Sequence, residues 1–334
     1  MTDSCTSSST YSGIGLYAAK LLAVIHPLNR IILVARDEEK AAKATKEVRS
    51  VLPDQSEWYT ENIIPLVCDH TSLNSVREFN LELRRKLKEV YHDGKWAVNG
   101  IDVMCLNAAV LQAPNSQVEF TNDGMETTFQ TNYLAPFLIA NLTADLINPG
   151  GRVVVSSSGL HYGAKLDLDG MIDPCTGNAR KGFSMINGHT FHFKESYSLS
   201  KLSNVAFCVE LNQRLQSRQA IVNSFSPGLM TKSGLFRNQD VGSNPTSVHS
   251  KEILKKDRTV EFGAGALVFM AMADATGERG GVYWRDVDSL SSSTKAYGNE
   301  FSPSAIVGDA YDKEKREQLW NLSCQLVGIS KDFL

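Results

Sequence analysis

Short, near-continuously apolar runs alternate with longer amphipathic stretches along most of the chain. Ile31 to Ala35, Ile63 to Val67, Ile101 to Leu106, Arg152 to Ser156 and Ile221 to Ser226 read as strands. Apolar runs with little polar alternation belong to strands covered on both faces, the pattern of a parallel sheet. Between them, Leu16 to Ile25, Ser72 to Tyr91, Met125 to Leu146 and Tyr197 to Leu215 carry apolar residues at helical spacing, and each is long enough to cross back over a sheet. The alternation predicts a doubly wound α/β fold, with helices on both faces of one parallel sheet, in a single domain over residues 1–334.

Three segments depart from this rhythm. Residues 160–194 are rich in Gly, His, Asn and Asp and lack periodicity. A loop that long inside a compact domain is read as a lid or binding insert, and this one lies directly before Tyr197. Residues 240–249 are polar and contain Gly242 and Pro245, which suits either a flap or a solvated connection. At the start, Met1 to Ser7 is polar where a buried first strand should hold Val, Ile or Leu, so that strand is expected to be atypical or truncated. The same stretch has neither arginine nor an apolar core, and no signal or transit peptide is recognised in it. Gly263 to Ala275 is the longest apolar-rich run; it falls short of the roughly 20 residues that a membrane span needs and reads as a core helix.

Charge narrows the range of partners. A net charge of −3 provides no long-range attraction for nucleic acid or anionic lipid, so a small-molecule substrate is expected, no nucleic acid, and at most a peripheral contact with a membrane. The six cysteines are scattered without a Cys-x-x-Cys pair, which fits buried thiols in a reducing compartment. His189-Thr190-Phe191-His192 lacks a carboxylate partner motif, so no metal is expected.

The residues suited to chemistry fall at the ends of the predicted strands. Ser12-Gly13-Ile14-Gly15 opens an amphipathic helix, where glycines let phosphates approach backbone N–H groups at the positive end of the helix dipole. Arg36 follows the Ile31 to Ala35 strand, at the point where a dinucleotide fold meets the adenosine ribose; an arginine there suits the 2′-phosphate of NADPH. Asp69, and then Asn107, Ala108 and Ala109, follow the next two strands. Ser156-Ser157-Ser158 ends another and offers a hydroxyl to orient a substrate. Tyr197 and Lys201 are spaced to share one helix face, where a cation would lower the phenol's pKa toward a range useful for proton transfer.

In this order, over essentially the whole length, the motifs resemble the short-chain dehydrogenase/reductase family, a Rossmann-like fold. The resemblance implies a catalytic set of Asn132 (from Thr131-Asn132-Tyr133-Leu134), Ser157, Tyr197 and Lys201. It implies that Tyr197 donates the proton, Lys201 holds the nicotinamide ribose, Ser157 orients substrate and Asn132 anchors a relay water. Pro227-Gly228 with Thr231 looks like the family's loop toward the nicotinamide carboxamide.

The C-terminal half is most similar to the light-dependent protochlorophyllide reductases of that family, through Ser226-Pro227-Gly228, Ser233-Gly234-Leu235-Phe236-Arg237, Gly281-Val282-Tyr283-Trp284 and Leu319-Trp320-Asn321-Leu322-Ser323. That implies NADPH-dependent reduction of the C17=C18 bond of protochlorophyllide, and residence in a plastid, with the cytoplasm as alternative. Departures from the subfamily are Ser9 in place of the first glycine of the phosphate loop, Leu229 in place of a cysteine, and Gly159-Leu160-His161 in place of a Thr-Gly run. Two other readings stand beside it: a dark, retinol-dehydrogenase-like alcohol or carbonyl oxidoreductase acting on another apolar substrate, and a non-catalytic binding protein on the same fold. A homo-oligomer is left open.

Overall fold

The structure, a computed structural model, describes residues 4–8, 13–26, 28–53, 60–92, 100–237, 257–286, 301–304 and 308–334. All five predicted strands form: β2 (Arg30–Ala35), β3 (Ile63–Val67), β4 (Ile101–Leu106), β5 (Ile147–Ser156) and β6 (Ile221–Ser226). They join β1 (Ser4–Ser8), β7 (Val282–Asp286) and β8 (Phe301–Ser304) in one eight-stranded sheet of order β3-β2-β1-β4-β5-β6-β7-β8. Every neighbouring pair is parallel except β7 with β8, which closes the edge antiparallel. The order reverses between β1 and β4, and in such sheets ligands bind in the crevice above the strand ends at the reversal.

The polar start of the chain does form a strand. Ser4–Ser8 pairs with β2 on one side and β4 on the other, at the centre of the sheet. A strand with a neighbour on each side completes its backbone ladder whatever its side chains are, so position overrides β-propensity. β5 also begins earlier than the apolar run suggests, at Ile147. Asn148-Pro149-Gly150-Gly151, which lies outside the predicted strand, continues it through an irregular register, with Gly150 at φ +78°.

Two apolar layers enclose the sheet. β2 divides its buried residues between them: Ile31 and Leu33 face one layer, Ile32 and Val34 the other. The first layer is covered by α1 (Gly13–Ile25), α2 (Glu38–Arg49) and α7 (Val260–Met272). α2 escapes the hydrophobic pattern because Glu38-Glu39-Lys40 and the lysines after it dominate its sequence, while Ala41, Ala44, Thr45 and Val48 alone go inward. Asp37 caps it, accepting from the Lys40 backbone N–H at 2.9 Å.

The second layer is covered by α3 (Leu73–His92), α5 (Ala135–Thr143), α6 (Phe193–Arg214) and α8 (Lys313–Val327). α5 is preceded by α4 (Thr127–Phe129) and a π-helical turn over Gln130–Leu134, so the predicted helix from Met125 to Leu146 is broken into pieces of different pitch.

The insert over residues 160–194 is folded onto the second layer. Leu166, Leu168, Met171, Phe183, Met185 and Ile186 are all buried in that core. Gly170 permits the docking: a Cβ there would lie 2.2 Å from the Met185 carbonyl oxygen. Its apolar residues are separated by turns, which is why no helical or strand period shows in the sequence. Residues 240–249, read as a flap or connection, lie outside the described residues. No helix among the described residues is long and apolar enough to cross a membrane.

Candidate active site

Tyr197 and Lys201 lie one turn apart near the start of α6, and both side chains are buried, at 5% and 1% exposure. His192 caps the helix, accepting from the Glu195 backbone N–H at 3.4 Å; the second histidine of the pair noted in the sequence, His189, lies 3.7 Å from the Glu195 carboxylate. α6 packs against the end of β5 and against the π-helical turn, and these contacts assemble the rest of the site.

Asn132 sits in that π turn, fully buried. Its side chain grips the loop after β4, accepting from Val110 N at 2.7 Å and donating to Val110 O at 3.0 Å. It also donates to Ser200 Oγ at 3.1 Å, and Ser200 in turn donates to the Tyr197 carbonyl at 2.7 Å. Asn132 therefore ties the Asn107-Ala108-Ala109 turn to the helix that carries the phenol.

The three serines at the end of β5 point to different partners. Ser156 Oγ donates to Asn107 Oδ1 at 2.9 Å, and its carbonyl accepts from Lys201 Nζ at 3.0 Å and from Asn204 at 3.2 Å. Ser157 Oγ donates to the Lys201 carbonyl at 2.8 Å, and its backbone N–H goes to Phe225. Ser158 is the serine whose hydroxyl lies near enough to the Tyr197 phenol to lower its pKa. The sequence reading placed the substrate-orienting hydroxyl on Ser157; in the fold that hydroxyl is spent on the helix backbone and the neighbouring serine meets the phenol. Side chains alternate along an extended chain, so a choice one residue out selects the opposite side.

Burial dominates the electrostatics. The Tyr197 phenol is pushed up to about 12 by desolvation, which the nearby Ser158 hydroxyl only partly offsets. Lys201 is pushed down to about 7 by desolvation alone. The ammonium nitrogen lies 5.6 Å from the phenol ring centre and is directed at the Ser156 carbonyl. Desolvation in a dry site, and not the cation effect expected from the Tyr-Lys spacing, thus sets the pKa of the phenol. The result is a phenol held firmly in its protonated, proton-donating form.

The residues expected to hold a cofactor line the carboxyl ends of the strands. Gly13, Ile14 and Gly15 open α1; Gly13 has φ +63° and open space where a Cβ would stand. Ser12 lies outside the described residues. Arg36 projects from the end of β2 with 55% of its side chain exposed, 3.8 Å from the Asp37 carboxylate. Asp69 follows β3, where its carboxylate accepts from Thr71 N at 2.9 Å and Thr71 Oγ1 at 2.8 Å. Asn107, Ala108 and Ala109 follow β4 and are half-buried. Pro227 and Gly228 follow β6, with Gly228 at φ +90°. Thr231 is gripped by Asp257, to which it donates from its backbone N and its hydroxyl, each at 2.7 Å.

Sequence reasoning passed over Asn204 and Asp257, named Ser158 only within the run Ser156-Ser157-Ser158, and gave His161 no role. His161 stands in the segment where the run departs from the family's pattern, and that departure was the available clue. Nothing in the local sequence of Asp257 announces a partner 26 residues away.

Comparison with known proteins agrees with this architecture. The model of the family described as short chain dehydrogenase matches residues 9–166. Protochlorophyllide reductase B of Oryza sativa subsp. japonica is 29% identical over 96% of this chain and 76% of its own. A crystal structure of an uncharacterised protein from Mycobacterium paratuberculosis superposes with a TM-score of 0.66 at 22% identity, covering 98% of this chain and 94% of that one. A short chain dehydrogenase from Burkholderia cenocepacia, in complex with NADP, superposes with a TM-score of 0.58 at 17% identity over 85% of this chain and 96% of that one. With the sheet order, the strand-end residues and the Tyr-Lys helix in place, the chain is an oxidoreductase with the fold of the short-chain dehydrogenases and is similar to that family, whose members use NAD(P).

Proposed function

We propose that the chain is an NADPH-dependent reductase that adds hydrogen across the C17=C18 bond of protochlorophyllide in a light-driven step. The observation that carries the reductive chemistry is the buried Tyr197 and Lys201 pair beside the half-buried Ser158, in which desolvation keeps the phenol protonated. The pigment as substrate is supported by the protochlorophyllide reductases matched over 96–97% of this chain, and those relatives, named as chloroplastic, support a plastid location.

The residues present fit a phosphorylated dinucleotide. The open space at Gly13 and the small Ala108 and Ala109 leave room for it, and Arg36, half in water at the end of β2, suits a 2′-phosphate. When bound, NADPH supplies a hydride. The chain's own part is the proton: Tyr197 gives it from Oη to the reduced carbon framework and is left as phenolate. Ser158 can then donate to that phenolate, and Lys201, once protonated, lowers its energy by charge. Ser157, Asn204 and Asn132 hold the β5 end and α6 in register around the phenol.

A second reading is a dark reductase of an apolar ketone or aldehyde, and a specific residue favours it. Leu229, half-buried directly after Pro227-Gly228, puts an apolar side chain where the pigment reductases carry a thiol. Absorbance of the purified protein with NADPH and protochlorophyllide, in the dark and then under illumination, separates the two. Conversion to the chlorophyllide spectrum that needs light, NADPH and protein is the expected result. No conversion, with NADPH binding shown separately by fluorescence, would transfer the proposal to the dark chemistry.

A further inference from the structure

His161 follows the serine strand where the pigment reductases carry a Thr-Gly run, and no step described above uses it. Its side chain is fully buried inside a 3₁₀ turn over Gly159–Gly163. The imidazole Nδ1 lies 2.6 Å from the Ser158 carbonyl oxygen, which also accepts from the His161 backbone N–H at 3.1 Å. A carbonyl can only accept, so Nδ1 carries the proton and Nε2 is left with a lone pair. Among the described residues Nε2 has no hydrogen-bond partner. Burial favours the neutral ring, and Arg285 nearby opposes protonation further.

Both ends of Ser158 are therefore occupied. Its carbonyl is held twice by His161, and its hydroxyl meets Tyr197 while accepting from Leu160 N at 3.3 Å. The backbone at Ser158 is extended, at φ −158° and ψ 149°, just past the end of β5. The backbone N–H of His161 alone leaves the Ser158 carbonyl one bond about which the peptide can tilt; the imidazole bond at 2.6 Å is the second point that fixes its orientation, and with it the direction of the hydroxyl. The imidazole is itself wedged between Tyr162, at 4.2 Å between ring centres, and Tyr283, at 4.6 Å and edge-on. Tyr283 belongs to β7, and its ring is fully buried. The wedge thus ties β7 to the Ser158 peptide through one imidazole.

We propose that His161 is a positioning residue for the proton donor: its Nδ1–H, clamped by Tyr162 and Tyr283, fixes the Ser158 peptide so that the Ser158 hydroxyl stays on the Tyr197 phenol. The inference rests on Tyr197 as the proton donor but not on the identity of the substrate.

The test uses the full chain with isotope-labelled tyrosine Cζ, whose magnetic resonance position reports hydrogen bonding at the phenol oxygen; Tyr197→Phe assigns the signal. Ser158→Ala defines the position of the unpartnered phenol. His161→Asn keeps an N–H at the reach of Nδ1, and His161→Gln moves it out to the reach of Nε2. The expected result is a Tyr197 signal in His161→Gln and His161→Ala displaced as in Ser158→Ala, with the wild-type position restored in His161→Asn. Turnover should follow, with kcat down about tenfold in Gln and Ala, KM unchanged, and recovery in Asn.

A packing role alone would lower thermal stability in all three variants and leave the tyrosine signal in place. That outcome, or equal displacement in Asn and Gln, overturns the proposal. If His161→Ala does not fold, the contrast between Asn and Gln decides it. Because the spectrum is read before NADPH or pigment is added, it stands or falls separately from the reduction of protochlorophyllide.

Discussion

The nucleotide side of the crevice and the catalytic side follow opposite rules. Around Gly13 and Arg36 the groups suited to a cofactor are open or exposed: Gly13 has free space beside it, and Arg36 shows 55% of its side chain to solvent. Around Tyr197 the working groups are buried, and most of their polar neighbours are bonded to each other. The difference reflects what each side handles. A phosphate brings its own charge and can be met by a hydrated guanidinium at little cost. A proton donor must be kept out of water, or its pKa relaxes to the value in solution.

The largest expected effect tests the catalytic side directly. Tyr197→Phe should lower turnover by about 10²- to 10⁴-fold, the usual range for losing a general acid, and leave NADPH affinity unchanged. Steady-state kinetics and a fluorescence titration check this together. Turnover equal to that of the parent chain would remove Tyr197 from the mechanism, and a matching loss of affinity would mean that the two sides of the crevice are not independent.

Burial of Lys201 should appear as a dependence of stability on pH. Its folded pKa is about 7, against an ordinary value of 10.5. Between those values the unfolded chain binds a proton that the folded chain does not, so stability rises with pH across the window and is lost as pH falls toward 7. The slope is up to about 1.4 kcal/mol per pH unit. Urea unfolding of the protein before cofactor is added, compared with Lys201→Met, isolates it: the variant should have a flatter profile between about pH 7 and 10. Parallel profiles would show that the ammonium stays charged in the folded chain.

Arg36 should give a smaller effect, and one confined to one cofactor. Arg36→Ala should weaken NADPH by about tenfold, the lower end for a charged hydrogen bond because much of the side chain remains in water, while NADH is unaffected. An unchanged ratio of the two affinities would assign the 2′-phosphate to another residue.

The contrast between the two sides also decides what can be read from the amino-acid order. The strands that line the crevice show as apolar runs because both of their faces are covered, and Tyr197 and Lys201 show because helical spacing fixes their relation. β1 does not show, since its residues are polar in sequence and what places it is backbone pairing with β2 and β4. The insert does not show because its buried residues, from Leu166 to Ile186, are held by turns without a period. The serine beside the phenol is the finest case: Ser156, Ser157 and Ser158 are one residue type in a row, and only the path of the chain separates a hydroxyl on the Lys201 carbonyl from one on the Tyr197 phenol.

That last distinction predicts the smallest effects and the sharpest pair. Ser157→Ala removes a buried hydrogen bond of 2.8 Å to the Lys201 carbonyl. The carbonyl lies inside α6, where it also serves the helix, so it is not left without a donor and the loss should be about 1 kcal/mol of stability. Turnover should stay within a few-fold, because the phenol keeps its own partner. Ser158→Ala should do the reverse, costing little in stability and about tenfold in kcat, since the hydroxyl that stabilises the phenolate is gone. Urea midpoints and kcat measured on both variants settle the matter. If Ser157→Ala takes the turnover and Ser158→Ala the stability, then the end of β5 rotates by one residue when substrate is bound, and the hydrogen bond from His161 to the Ser158 carbonyl is what has to break to allow it.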